Sequence, residues 1–76
     1  MTREEEIARE VHIAWCKDRA LEYLNAGDLP NAFTSMVSDM GELSQTAISR
    51  SLIRLGLLHV TEKQADDLRQ WIERFR

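Results

Sequence analysis

Apolar residues recur along this chain at helical spacing, and three glycines punctuate them. Leu29, Phe33, Met36, Val37 and Met40 follow the i, i+4, i+7 pattern of a one-faced helix. Ala65, Leu68, Trp71, Ile72 and Phe75 form a second such face. Ile48, Leu52 and Leu55 form a third, with Ile53 offset. The stretch before Gly27 is different. Ile7, Val11, Ala14 and Leu21 lie on one side, Ile13, Cys16, Ala20 and Leu24 on another, and Trp15 apart from both. A helix apolar over much of its circumference is either central in a small fold or carries a second face for a partner or a dimer.

Gly27, Gly41 and Gly56 each follow a helical pattern, where a left-handed residue is expected to end the helix. A capping side chain follows each: Asp28, Ser44 and Thr61. Thr2 with Glu5, and Thr61 with Gln64, have capping-box spacing, and Pro30 suits a first turn. No stretch sustains strand alternation. The pattern predicts one all-α domain over residues 1–76, a small bundle of four helices at 3–26, 29–40, 45–55 and 62–75. The apolar connector Leu57–Val60 is expected to pack, and the C-terminus to dock through Phe75. Phe33, Val37, Leu52, Leu68 and Ile72 are the expected core.

Composition narrows the class. Seventy-six residues with 43% apolar content make a single modest core, so self-association or partner docking is a natural source of added stability. The acidic N-terminus MTREEEIARE has no apolar run after it and does not read as a signal peptide. No run approaches the roughly 20 apolar residues of a membrane span. The expected location is the cytoplasm. One cysteine cannot form an internal disulfide.

Catalytic chemistry is not expected. His12 and Cys16 stand four apart, but two ligands are not a metal site, and no CxxC or HExxH completes one. Cys16 lacks an oriented base and an oxyanion site. Asp66 and Asp67 are adjacent, so they point in different directions and suit a helix N-terminus instead. No Gly-rich phosphate loop is present. The expectation is a protein without catalytic residues, metal, cofactor or small-molecule substrate.

Net charge is −3. Its distribution offers no basic stripe for phosphates, which argues against nucleic acid. The alternative rests on Leu43–Leu58, LSQTAISRSLIRLGLL, which has the look of a helix-turn-helix recognition helix after a glycine turn. Gln45, Ser49 and Arg50, with Ser44 and Thr46, would reach base edges, and Arg54 a phosphate.

Ala14–Leu24, AWCKDRALEYL, and Gly27–Asp39, GDLPNAFTSMVSD, resemble a family of small helical proteins encoded by tailed bacteriophages of actinobacteria. A looser match continues through Ile48, Gly56, His59, Thr61 and the ending WIERF, covering about two-thirds of the chain. The family usually carries a longer loop with His and Pro after its second helix, here shortened to GELSQTA, and helix 3 is more polar in this chain. The resemblance implies a phage origin and a helical fold, and it carries over no catalytic residues. Small phage proteins of this size often act by binding, modulating a host or another phage protein. The WCKDR run then offers the candidate interface: Trp15, Lys17, Asp18 and Arg19, with Trp and Arg the types enriched at binding hot spots. Against this stands the plainer reading, in which Trp15 completes the core.

Overall fold

A computed structural model describes residues 2–75, which form four helices and no strand: α1 (Arg3–Asn25), α2 (Leu29–Met40), α3 (Arg50–Thr61) and α4 (Ala65–Glu73). The core is built from three of them. Ile13, Cys16, Ala20 and Leu24 come from α1, Ala32, Met36 and Met40 from α2, and Leu68, Trp71 and Ile72 from α4. Helices α1 and α3 each pack on α2 and α4 and do not touch each other.

The first helix begins as its sequence predicts. Thr2 Oγ1 accepts from the Glu5 amide at 3.2 Å, and the Glu5 carboxylate accepts from the Thr2 amide at 3.4 Å, so the capping box is closed. It ends in a Schellman motif. Gly27 takes φ +82°, its N–H donates to the Leu24 carbonyl, and the Asp28 N–H donates to Tyr23, both at 2.9 Å. Asp28 then caps α2 through the Asn31 amide at 3.2 Å, with Pro30 in the first turn.

The other two glycines do not behave as expected. Gly41 is right-handed, with φ −72°, and leads into a nine-residue connector, 41–49. The buried Thr46 hydroxyl fastens that connector to the Met40 carbonyl at 2.5 Å. Helix α3 therefore begins at Arg50, not at residue 45, and Ser49 rather than Ser44 is its cap. Gly56 lies inside α3 and is its one buried residue, so Leu57–Val60 is helix and not connector.

A side chain at position 56 has no room. A β-carbon there would stand 2.7 Å from Cε2 and Cζ2 of Trp71 and 2.9 Å from Cε1 of Phe33. The glycine is there for close approach between helices. Trp71 Nε1–H completes the contact by donating to the Leu52 carbonyl at 2.9 Å.

The true end of α3 is a second Schellman motif without glycine. Lys63 takes φ +55°, its N–H donates to Val60 at 3.1 Å, and the Gln64 N–H donates to His59 at 2.9 Å. Thr61 is consequently not the cap of α4. It closes α3, with its hydroxyl on the Leu57 carbonyl at 2.9 Å, and Gln64 precedes α4 with no side-chain cap.

The expected core is partly revised. Leu68 and Ile72 are fully buried. Phe33 and Val37 are half-buried and pack on the core margin, because Ala32, Met36 and Met40 are the α2 residues that face α1 and α4. Leu52 is half-buried and contributes its carbonyl to Trp71 rather than its side chain to the core cluster. Phe75, half-buried, meets Trp71 edge-on at 5.1 Å, which docks the chain end beyond α4.

Candidate protein interface on the first helix

The buried residues of α1 recur as Ile13, Cys16, Ala20 and Leu24, on one face. Helical geometry of about 3.6 residues per turn puts Glu4, Ile7, Val11, Ala14, Trp15 and Asp18 on the opposite face. All six are exposed. The large apolar ones are Ile7 at 50%, Val11 at 64% and Trp15 at 43% of full exposure. Ile7, Val11 and Trp15 are spaced i, i+4, i+8 and so form one ridge along the helix. Trp15 joins this ridge rather than sitting apart from it, and it does not complete the core. Leu21, grouped with Ile7 and Val11 by periodicity, is instead half-buried against the core. No residue from 2 to 12 is buried, so the first two turns of α1 run beyond the packed part of the bundle.

Trp15 is held in place by its neighbours. The Arg19 guanidinium lies 4.8 Å from the indole centroid, and the His12 ring stacks against it at 6.0 Å and 28°. Both supports are tied to α2. Arg19 Nε is 3.4 Å from the Asp39 carboxylate, which is nearly buried and also accepts from the Ser35 hydroxyl at 3.2 Å. His12 Nε2 donates to the Asp39 carbonyl at 2.8 Å. A partly exposed cation–π contact contributes about 0.5–1 kcal/mol. Its larger effect is to limit the rotamers of an exposed tryptophan, which lowers the ordering cost of any contact made there.

The other interface candidates part company. Lys17 turns to α4, where Nζ donates to the Glu73 carbonyl at 3.0 Å. Asp18 is exposed on the outer face beside Val11 and Ala14. Trp15 and Arg19 are thus brought together, Asp18 flanks them, and Lys17 points elsewhere. Ile7 and Val11 complete the ridge. Their periodicity was visible, but only the docking of α2 and α4 on the other face leaves them outside.

Of the residues that would reach DNA, Thr46 is buried with its hydroxyl on the Met40 carbonyl, and the others are exposed but are not one helical surface. Gln45 lies in the 41–49 connector, Ser49 is engaged as the α3 cap, and Arg50 and Arg54 stand one turn apart on α3. That connector is longer than the three or four residues of a helix-turn-helix turn.

Cys16 lies beneath this region, fully buried, its Sγ 3.5 Å from His12 Nε2. Burial, reinforced by the Asp39 and Glu42 carboxylates, pushes its thiol up to about 11, so it remains a neutral thiol at physiological pH. Among the described residues no three His, Cys, Asp or Glu side chains converge on a common point, and no helix is long and apolar enough to cross a membrane.

Comparison with protein-family models, curated proteins and solved structures yields no match.

Proposed function

We propose that this chain is a non-enzymatic protein-binding module of phage type, acting in the host cytoplasm by modulating a host or phage protein, and that it binds through the outer face of α1. The observation that carries this reading is the exposed ridge Ile7, Val11 and Trp15, set opposite the core face of the same helix. A soluble domain this small gains nothing from three large apolar side chains in water, and contiguous exposed apolar surface marks interaction sites. Tryptophan and arginine are among the residue types enriched at binding hot spots, and here Arg19 braces Trp15. The buried, unactivated thiol of Cys16 supports the non-enzymatic part.

The alternative, a DNA-binding regulator reading bases with Gln45, Ser49, Arg50 and Arg54, is less well supported. The chain carries an acidic balance, and α3 offers only two arginines to the phosphate backbone.

Affinity capture from an actinobacterial host lysate, with and without phage infection, separates the two. The protein-binding reading predicts a retained protein that Val11→Asp and Trp15→Ala abolish and that Arg50→Ala and Arg54→Ala leave in place. Retention of duplex DNA at low salt, lost steeply as salt rises and weakened by the two arginine variants, would establish the alternative instead.

A further inference from the structure

Trp15 has His12 one turn before it on α1 and Arg19 one turn after it, and both touch its ring. Left to themselves these side chains would support each other poorly. Arg19 and Trp15 are exposed, and a long flexible cation has many rotamers besides the one that lies over an indole. Asp39, in the last turn of α2, takes hold of both neighbours. Its carboxylate Oδ2 stands 3.4 Å from Arg19 Nε, and its main-chain carbonyl accepts from His12 Nε2–H at 2.8 Å.

Among the described residues Asp39 is the one charged side chain that is buried, at 6% exposure. A carboxylate taken out of water is costly unless it is paired and hydrogen-bonded. Its compensation is Arg19 and the Ser35 hydroxyl, the latter at 3.2 Å. A well-packed apolar side chain is often at least as stabilising as a buried ion pair, so stability alone is a poor reason for an acid at this position. What the charge adds is a fixed point for the Arg19 guanidinium.

We propose that Asp39 is the positioning residue of the α1 surface, holding Trp15 in one orientation from α2. This rests on the reading of the outer face of α1 as the binding surface, and it names the group that sets how that surface is presented. The carboxylate acts through Arg19 and the carbonyl through His12. A side chain already confined before contact loses less freedom when it binds, so the buried acid lowers the cost of using an exposed tryptophan. The two arms are separable. Substitution at position 39 removes the carboxylate arm and leaves the main-chain arm to His12 in place.

The test is NMR relaxation of the two indole N–H groups in the full chain, assigned with Trp15→Phe. Trp71 Nε1–H, bonded to the Leu52 carbonyl at 2.9 Å, is the internal reference. In the parent, Trp15 should be as ordered as Trp71. Asp39→Asn keeps the shape of the side chain and removes its charge. It should drop the order parameter of Trp15 below about 0.6 and leave that of Trp71 unchanged. Arg19→Gln should do the same from an exposed position, so the result does not depend on how well Asp39→Asn folds. The double variant should be no more mobile than Arg19→Gln alone, because the carboxylate acts through Arg19. Ser35→Ala removes the other donor to the same carboxylate and should leave Trp15 ordered. A loss of order in Ser35→Ala equal to that in Asp39→Asn would show that Asp39 acts on the packing of α2, and would overturn the proposal. So would a Trp15 that stays ordered in both Asp39→Asn and Arg19→Gln, or one already mobile in the parent. None of these outcomes needs a partner. Order lost as expected, in a protein that captures nothing through Trp15, would uphold the brace and overturn the binding reading instead.

Discussion

The indole of Trp71 packs against Gly56 so closely that a side chain at position 56 has no room beside it. A β-carbon at position 56 would stand 2.7 Å from two ring atoms of Trp71, with Phe33 closing the other side. This contact holds α3 to α4, because the rest of α3 is at most half-buried.

Gly56→Ala should therefore destabilise the fold. Alanine in a helix interior gains up to about 1 kcal/mol over glycine, but overpacking against a buried aromatic costs about 1–3 kcal/mol. The clash involves a ring packed on both sides, with Phe33 at 5.6 Å and Phe75 at 5.1 Å between centroids, so it cannot swing aside. Urea unfolding should show a lower midpoint than the parent. A higher midpoint would mean that Trp71 has room to move.

Lys63→Gly should act in the opposite direction. Lys63 holds a left-handed conformation, at a cost of about 1–2 kcal/mol for an L-residue. Glycine removes that cost while adding freedom to the unfolded chain. The net expectation is a gain of up to about 1 kcal/mol, read as a raised thermal midpoint.

These two positions also show what was legible in the chain and what was not. Helix periodicity located α1, α2 and α4 closely, and the Thr2 and Asp28 caps were plain from residue type. The end of α3 was misplaced because glycine has two uses. At Gly27 it permits positive φ, and at Gly56 it permits close approach, and the local sequence does not distinguish them. The actual stop uses Lys63, a residue with no turn signature. On α1, two apolar sides were visible from spacing alone. Which one the bundle covers depends on how α2 and α4 dock, and that is a property of the whole fold. The tie from Asp39 to Arg19 and His12 joins residues on different helices, so it has no pattern in the sequence.

Core truncation should separate the fully buried from the marginal residues. Leu68→Ala should cost about 2–5 kcal/mol, a large part of the stability of a domain this size. Leu52→Ala, at a half-buried position outside the core cluster, should cost distinctly less. Equal losses in chemical denaturation would mean that α3 is buried more deeply than its exposure indicates.

Alkaline pH should weaken the fold through Cys16. Its folded thiol stands at about 11, above the ordinary value of 9.0, because burial disfavours the thiolate. Between those values the unfolded chain has released this proton and the folded chain has kept it. Stability from this group is therefore full below pH 9 and falls as pH rises toward 11, by about 2–3 kcal/mol in all. Comparing parent with Cys16→Ala isolates the slope from other groups titrating there. Identical slopes in the two proteins would contradict the burial argument.

The outer face of α1 as the binding surface is tested most directly by site-specific photocrosslinking in the host cell, with the photoreactive residue placed at position 11, 15, 54 or 57. Positions 11 and 15 lie on the exposed ridge of α1, and positions 54 and 57 are exposed on α3, which does not touch it. The expected result is a discrete protein adduct from positions 11 and 15 and none from 54 and 57. Adducts from the α3 positions alone would place the interface on the other side of the molecule and contradict the proposed role of Ile7, Val11 and Trp15.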